Sequence, residues 1–305
     1  MKIKPCIICE DKPDLQVLIE HGDFRIIKCR NCGLIYQDSL DQNNKIDKIY
    51  NSLYSDSPPK DLISRKTDIV VRKQVYSDIE EIQMPVGLML DIGCSYGESM
   101  MFFEKKGWKT TGIDICETSV KWARDQGLDC IFTSIENYTP DKKFDVIVMS
   151  HVLEHLTDPA AVLQKIKKWL KPDGIIHIRV PNIVSRLLKY KIFFLGELKP
   201  YEHLYYFSPG TINLLLEKIG LKCSVTTRYK HSLGSVINMI IRSRLVLRSS
   251  WHELNYQTNP EKKLFYLRIK NFYEKIMMLA DSLTFGANDK EVVAVARNRK
   301  SFNLF

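Results

Sequence analysis

Short apolar runs alternate with amphipathic segments from Leu88 onward, and this alternation predicts a parallel β-sheet covered by helices. The apolar runs have the length of buried strands, and the segments between them have helical length. The predicted strands cover Leu88–Ile92, 110–115 and 144–150, and the predicted helices cover 99–107 and 118–126. The chain is therefore expected to belong to the α/β class.

The alternation continues toward the C-terminus. Asp158 and Pro159 predict a helix over 160–170, since Asp can cap a helix and Pro suits its first turn. The run Lys171-Pro-Asp-Gly174 is expected to stop this helix. A further strand is predicted at 175–180, and a closing strand at 291–297.

An insert of about sixty residues, over about 231–288, separates the last two of these strands. Its segments 235–248 and 264–279 look helical, with apolar and basic faces. Packing against the sheet domain is the expected role of this helical insert. Peripheral docking on a membrane surface is the alternative.

Two cysteine pairs near the N-terminus have the spacing of a four-cysteine zinc site: Cys6, Cys9, Cys29 and Cys32. In each CxxC knuckle both thiolates can reach one ion, and four thiolates close the coordination shell, so the zinc would be structural. A redox dithiol would need one pair in a thioredoxin-like context, which is lacking. A catalytic zinc would keep an open position.

Residues 1–40 are therefore predicted to form a zinc ribbon, with short strands at 15–20 and 24–29. A segment this small has too little core to fold alone, so the metal would supply much of its stability. His21 is interpreted as a loop residue rather than a ligand.

The composition, with 45% hydrophobic and 27% charged residues, is that of a soluble globular protein. No apolar run reaches the roughly 18 residues that a transmembrane helix needs, and the N-terminus does not resemble a secretory signal. We therefore expect a cytoplasmic protein with reduced thiols. The remaining cysteines are expected to be small core residues: Cys94, Cys116, Cys130 and Cys223.

The formal net charge of +9 favours anionic partners, which include nucleic acid, an anionic lipid surface and a phosphorylated substrate. The charge does not choose among them. A solvated helix face is the preferred interpretation of the lysine cluster over 165–171.

A glycine-rich turn follows the first predicted strand of the sheet. Gly93 and Gly97 would let the backbone approach a ligand at a helix N-terminus. About twenty residues later, Asp114 ends the next strand, where a carboxylate can accept hydrogen bonds from two ribose hydroxyls. The preceding strand, the following helix and the acid at this distance make the turn informative.

Four stretches resemble the class I S-adenosylmethionine-dependent methyltransferases: LDIGCSYGES, TGIDI, FDVIVMSHVLEHLTDP and LKPDGIIHIRVPN. One departure is Ser95, which replaces the usual central glycine and is small enough for close approach. A dehydrogenase is disfavoured because the turn lacks the G-x-G-x-x-G spacing. The resemblance, over roughly 88–229, implies a Rossmann-like, seven-stranded methyltransferase sheet within residues 85–305, preceded by a linker and helical lid at 41–84.

The resemblance also implies a binding site for S-adenosylmethionine. Asp114 would hold the ribose, Ile115 would pack on the adenine, and Ser134 and Ile135 would approach the polar edge of the adenine. Ser150 and His151 would lie beneath the sulfonium. The methionine part would be lined by Asp91, Gly93, Cys94 and Gly97.

Candidate catalytic residues follow the fourth and fifth strands. The stretch around Glu202 and His203 resembles the E-H-x-x-Y-x-S segment of deoxysugar C-methyltransferases and the H-L-x-x-F-S segment of many O-methyltransferases. By that match, Glu202 would orient His203, which would take the proton of the acceptor; the alternative is that the pair only holds the loop. His155 opens a helix and is a third candidate, whereas His177 is expected to be a core residue.

The zinc ribbon also resembles a module of those C-methyltransferases, although their large C-terminal domain is missing here. We therefore expect O- (or C-) methylation of a saccharide, nucleotide-sugar or glycan-related metabolite. The alternative is an RNA methyltransferase that uses the ribbon to bind RNA. It is disfavoured because no aromatic and basic stacking platform is visible and the motif of base-amino methylation is missing.

Overall fold

The computed structural model describes residues 3–10, 13–21, 24–39, 66–182, 203–228 and 291–298. The strands are β1 Leu15–His21, β2 Phe24–Cys29, β3 Ile35–Ser39, β4 Leu88–Ile92, β5 Lys109–Asp114, β6 Cys130–Phe132, β7 Phe144–Ser150, β8 Leu170–Pro181, β9 Tyr205–Tyr206, β10 Leu221–Arg228 and β11 Glu291–Asn298. The helices are α1 Lys66–Glu81, α2 Glu98–Glu104, α3 Glu117–Asp125, α4 Pro159–Lys167 and α5 Pro209–Lys218, with a 3-10 turn at Leu153–His155.

Seven strands form the main sheet in the order β10-β11-β8-β7-β4-β5-β6. The strands β4 to β8 pair in parallel, and β11 runs antiparallel to β8. Since parallel strands end at the same edge, the residues after β4, β5, β7 and β8 meet at one carboxyl edge. The predicted α/β class and the seven-stranded Rossmann-like sheet are confirmed.

The main sheet is covered on both faces, which explains its apolar strands. Along β7, Ile147 and Met149 pack into one apolar cluster, whereas Val146 and Val148 pack into another. This alternation is what a pleated strand requires. The core therefore has two layers, one on each face of the main sheet.

The start of α4 was predicted more accurately from the sequence than its end. The Asp158 side chain accepts a hydrogen bond from the Ala161 N–H, as the predicted cap of α4. The prediction that α4 continues to residue 170 is wrong, because α4 ends at Lys167 and β8 begins at Leu170. Gly174 lies inside that strand, where a Cβ would come within 2.8 Å of the Phe144 carbonyl oxygen.

The N-terminal cysteine segment forms a second sheet, in which β1, β2 and β3 pair antiparallel. His21 lies at the end of β1, paired with Phe24, rather than in a loop as expected. The fourth strand of this sheet is β9, which pairs with β3 and comes from the segment after the main sheet's β8. The two sheets are thus joined through a short stretch that directly follows His203.

Apart from Arg228, the described residues lie within one compact unit, Met1–Thr227 with Glu291–Phe305. The predicted helical insert over 231–288 falls outside the described residues, as does the predicted linker and lid up to residue 65. None of the described helices combines the length and the apolar character needed to cross a bilayer.

Candidate functional site

The turn between β4 and α2 takes a backbone path that favours glycine. Gly93 and Gly97 have φ values of +73° and +74°. A Cβ at Gly93 would lie 2.5 Å from Val152 Cγ2, and one at Gly97 would overlap Leu128 Cδ1. The positive φ values therefore favour glycine at both positions, and an added Cβ at either would also displace a neighbouring side chain.

Ser95 occupies the centre of this turn and also has a positive φ, of 49°. This conformation costs a residue with a side chain roughly 1–2 kcal/mol. The Ser95 N–H donates a 2.8 Å hydrogen bond to Asp114 Oδ2, and a bond to a charged group contributes roughly 1.5–3 kcal/mol. The bond to Asp114 therefore helps to hold residue 95 in this left-handed conformation.

Asp114 lies at the end of β5, partly buried, with its carboxylate fixed on both sides. Oδ2 accepts from Ser95 N–H, and Oδ1 accepts from Cys116 N–H, each at 2.8 Å. A carboxylate has about four acceptor positions, which suits it to bind more than one hydroxyl donor. The side chain is thus oriented within the site.

Two exposed apolar side chains flank Asp114. Ile115 is 44% exposed and Phe132, at the end of β6, is 50% exposed. Phe132 is paired with Asp114 in the sheet register. An exposed apolar pair at a carboxyl edge offers a surface for a flat aromatic group. Phe132 was not predicted as a site residue, because only the pairing of β5 with β6 places it there.

The other predicted cofactor residues surround the same edge at different depths. Asp91 is fully buried in β4, and Ile135 packs into the core beyond β6. Ser150 ends β7 and is nearly buried. The Cys94 side chain points into the core, 3.9 Å from Cys130 Sγ, so only the backbone of Cys94 remains to line a ligand. Ser134 accepts a hydrogen bond from the Tyr138 N–H with its carbonyl oxygen.

His151 follows β7 at the same edge, with a φ of 57°. Its Nδ1 lies 3.5 Å from Glu154 Oε1, and its Nε2 lies 3.4 Å from Glu291 Oε1. Burial opposes the charged form of the ring, but the two carboxylates outweigh burial and raise the pKa of His151.

A second cluster lies beside it. Atoms of the Glu154, His155 and His203 side chains lie within 4.8 Å of one another. The rings of His155 and His203 meet edge to face, with their centroids 4.8 Å apart. The structure therefore brings together two of the three predicted catalytic residues, whereas Glu202 lies outside the described residues. His155 belongs to a 3-10 turn.

A buried ion pair fixes Glu291. Arg179 is fully buried in β8, and its Nε donates to Glu291 Oε2 over 2.6 Å. The guanidinium also donates to the Gln74 side chain of α1 over 2.8 Å. Arg179 and Glu291 were missed as site residues because they look like ordinary positions of apolar strands, although a charge inside such a strand is itself a signal. His177 is buried and lies 3.0 Å from Asp78, in agreement with its predicted core role.

The four N-terminal cysteines converge at one end of the small sheet. Their sulfur atoms lie within 4.8 Å of one another, and Cys6 Sγ is 3.6 Å from Cys32 Sγ. Gly33 follows the second knuckle with a φ of +82°, and its N–H donates to the Cys29 carbonyl oxygen. Zinc–thiolate bonds of about 2.3 Å in a tetrahedron place the sulfur atoms about 3.8 Å apart. The donor set and its spacing therefore fit zinc.

Comparison with known proteins points in one direction. Residues 73–224 match a family described as "Methyltransferase domain". Ubiquinone biosynthesis O-methyltransferase of Actinobacillus pleuropneumoniae serotype 5b (strain L20) is 33% identical over 121 residues, which covers 35% of this chain and 50% of the relative. The enzyme of the same name from Rhodopseudomonas palustris (strain HaA2) is 32% identical over 100 residues, covering 31% and 40%. The chain thus spans half or less of the length of these relatives.

A solved structure shares the fold. It is a protein of Galdieria sulphuraria provisionally named sarcosine dimethylglycine methyltransferase, with 17% identity and a TM-score of 0.51. The likeness covers 83% of this chain and 98% of that chain. At this identity it speaks for the fold alone.

Proposed function

We propose that the protein transfers a methyl group from S-adenosylmethionine to a small-molecule acceptor, and the match of residues 73–224 to the methyltransferase domain family supports this. The observation that carries this proposal is Asp114, whose carboxylate is fixed by two backbone N–H groups beside the left-handed turn. A carboxylate in this place is suited to bind a ribose diol. Ile115 and Phe132 would hold the adenine.

The remaining predicted residues would complete the cofactor site. The backbone of Gly93, Cys94 and Gly97 would face the methionine part, with Asp91 behind it, and Ser134 and Ile135 would lie near the adenine edge. Ser150 and His151 would lie near the sulfonium, at the end of β7. The cofactor supplies a methyl group that its positive sulfur has already activated. The chain therefore needs mainly to align the acceptor and remove its proton.

The histidine cluster supports O-methylation. A hydroxyl acceptor must lose its proton as the new C–O bond forms, and the neutral imidazole of a histidine is suited to take it. We assign this role to a ring nitrogen of His203, with His155 beside it. The methyl group goes to the acceptor oxygen and the proton to the imidazole. Glu202, the adjacent carboxylate in sequence, remains a candidate for orienting that ring.

For the acceptor we propose a saccharide, nucleotide-sugar or glycan-related hydroxyl, on the resemblance of the cysteine ribbon and the His203 segment to sugar methyltransferases. The named relatives act in ubiquinone biosynthesis, so phenols are the alternative acceptors against which sugars should be tested. Sugar hydroxyls hold their proton far more tightly than phenols, and an enzyme for them depends more strongly on its base.

The test is a transfer assay with methyl-labelled S-adenosylmethionine and a panel of nucleotide-sugars, glycosides and phenols. We expect label in a sugar-containing acceptor, with His203→Ala abolishing most of the turnover. If only phenols are labelled, the saccharide assignment is wrong. If no acceptor is labelled and the protein does not bind S-adenosylmethionine, the proposed activity is wrong.

We further propose that Cys6, Cys9, Cys29 and Cys32 hold one structural zinc ion. The spacing of their sulfur atoms supports this, as does the closed four-thiolate shell. Metal analysis of the purified protein should give about one zinc per chain, which Cys6→Ser and Cys32→Ser lower. A folded protein without bound metal would contradict the assignment.

A further inference from the structure

We propose that Glu154 is the positioning residue of the methyl-transfer site, holding His203 in place through its main chain and balancing the charge that the ring gains through its side chain. The inference rests on the proposed function, which assigns the acceptor's proton to His203. Sequence patterns offered Glu202 for this task; the structure offers a different carboxylate.

The main chain of Glu154 fixes the segment that carries His203. The Glu154 carbonyl oxygen accepts a 2.8 Å hydrogen bond from the Leu204 N–H. On its other side, the Leu204 carbonyl oxygen accepts a 2.8 Å bond from the Gln37 N–H of β3. Residue 204 is therefore held from both sides, which restricts the position of the neighbouring histidine.

The side chain of Glu154 faces histidines. Glu154 is 1% exposed, and within the described residues neither carboxylate oxygen has a hydrogen-bond donor. The nearest ring nitrogens are His151 Nδ1 at 3.5 Å and His155 Nε2 at 3.8 Å. His203 completes the group, with a ring nitrogen within 4.8 Å of the carboxylate.

A buried carboxylate without hydrogen bonds is unstable unless a cation lies close to it. Burial by itself would raise the pKa of Glu154, but the surrounding rings of His151, His155 and His203 outweigh burial and lower it. The three rings thus favour the ionised form of Glu154, and in return its negative charge favours an imidazolium next to it. Among the described residues, the further charged and titratable groups around this centre are Glu291, which faces His151, and Tyr206, whose ring lies 6.2 Å from that of His203.

This arrangement has a direct consequence for proton transfer. When the acceptor proton moves to His203, the ring becomes a cation, and the ionised Glu154 stabilises that cation without itself taking the proton. The same charge makes neutral His203 a stronger base. Loss of the carboxylate should therefore slow the chemical step and leave cofactor binding unaffected.

The test compares Glu154→Gln, Glu154→Asp and Glu202→Gln in the full-length protein. Glu154→Gln keeps the main-chain carbonyl oxygen that accepts from the Leu204 N–H, and it replaces the charged carboxylate by a neutral amide of similar shape. We expect it to lower kcat by about 100-fold, within the range of general-base effects, while acceptor KM and S-adenosylmethionine affinity stay within about two-fold. Glu154→Asp restores the charge and should recover part of kcat, and Glu202→Gln should have the smaller effect.

The pH–rate profile separates this role from a structural one. Since a nearby negative charge raises the pKa of an imidazole, Glu154→Gln should move the acid limb to lower pH. NMR titration of the His203 ring in the wild type and in Glu154→Gln measures the same change in the pKa of His203 without turnover. It therefore tests the interaction of Glu154 with His203 even if the proposed function fails.

Three results would overturn the proposal. One is an unchanged kcat and acid limb in Glu154→Gln, and another is a shifted limb in Glu202→Gln alone. The third is a second stoichiometric metal ion, in addition to the cysteine-bound zinc, that the wild type holds and Glu154→Gln loses. That result would show that Glu154, His155 and His203 bind a metal ion. If Glu154→Gln fails to fold, the Glu154→Asp profile and the wild-type titration decide.

Discussion

The pairing of β3 with β9 connects the cysteine ribbon to the segment that carries His203, and Tyr36 is the residue that tests whether the ribbon supports this segment. Tyr36 is 1% exposed and is paired with Tyr205 in the sheet register. Its ring stacks on that of Tyr205 at 6.3 Å, and its hydroxyl donates to the Lys4 carbonyl oxygen over 2.7 Å.

The expected size of the effect follows from these contacts. Removal of a buried aromatic ring costs about 3–5 kcal/mol, and the lost hydroxyl leaves the Lys4 carbonyl oxygen unpaired. We expect Tyr36→Ala to loosen the ribbon and the β9 segment together. Tyr36→Phe removes only the hydroxyl and should cost about 1 kcal/mol. Because the cofactor turn and Asp114 lie on other elements, Tyr36→Ala should lower kcat at least about ten-fold with little change in cofactor affinity.

Hydrogen exchange and kinetics on the same proteins check this expectation. Amide protection should fall at residues 204–206 in Tyr36→Ala, and not in Val17→Ala, which changes the strand at the opposite edge of the small sheet. This supporting role of the ribbon is refuted if residues 204–206 lose protection while kcat is unchanged. It is also refuted if cofactor affinity falls in parallel with kcat, since the ribbon would then support the whole domain.

Three further predictions concern the main sheet. Ser95→Gly should raise the free energy of unfolding by about 0.5–1 kcal/mol, because glycine adopts the positive φ without strain. A lower free energy of unfolding, measured by urea denaturation, would show that Ser95 is not strained. Glu291→Gln should lower the free energy of unfolding by about 3 kcal/mol, because it leaves the buried charge of Arg179 unbalanced; a change below about 1 kcal/mol would show that the pair contributes little. The raised pKa of His151 means that its ion pairs stabilise the protein at low pH and that this stabilisation is lost as the pH rises through that pKa. His151→Asn, which tolerates the positive φ, should remove this difference in denaturation curves across pH ~5–8, and an unchanged dependence would exclude His151 as its source.

The sequence was sufficient where the determinants are local. The Gly93–Gly97 turn and Asp114 can be predicted because the strand, the glycines, the helix and the acid follow one another within one βαβ unit. The proposed zinc site can be predicted because the spacing within and between the two N-terminal cysteine pairs is visible in the sequence. The start of α5 is equally local, since Ser208 and Thr211 form a capping box with Pro209 in the first turn.

Features that depend on distant pairings were missed. The β9 strand has two residues and no periodic pattern, and it exists only because β3 offers an edge. Glu291 reaches Arg179 through the antiparallel pairing of β11 with β8, which cannot be read from either segment alone. Glu154 precedes the predicted His155, but its importance appears only when His203 is folded against it.

The most direct test of the account is the affinity for S-adenosylmethionine, measured by calorimetry on the wild type, Asp114→Asn and Asp129→Asn. An asparagine at 114 would turn its NH₂ toward one of the two backbone N–H donors, which leaves a donor unpaired and weakens the grip on the ribose, together about 2–3 kcal/mol. We predict a dissociation constant raised about 100-fold in Asp114→Asn and an unchanged one in the exposed control, Asp129→Asn. Equal affinity in all three proteins, or no binding by the wild type, would contradict the central claim that this carboxylate holds the cofactor.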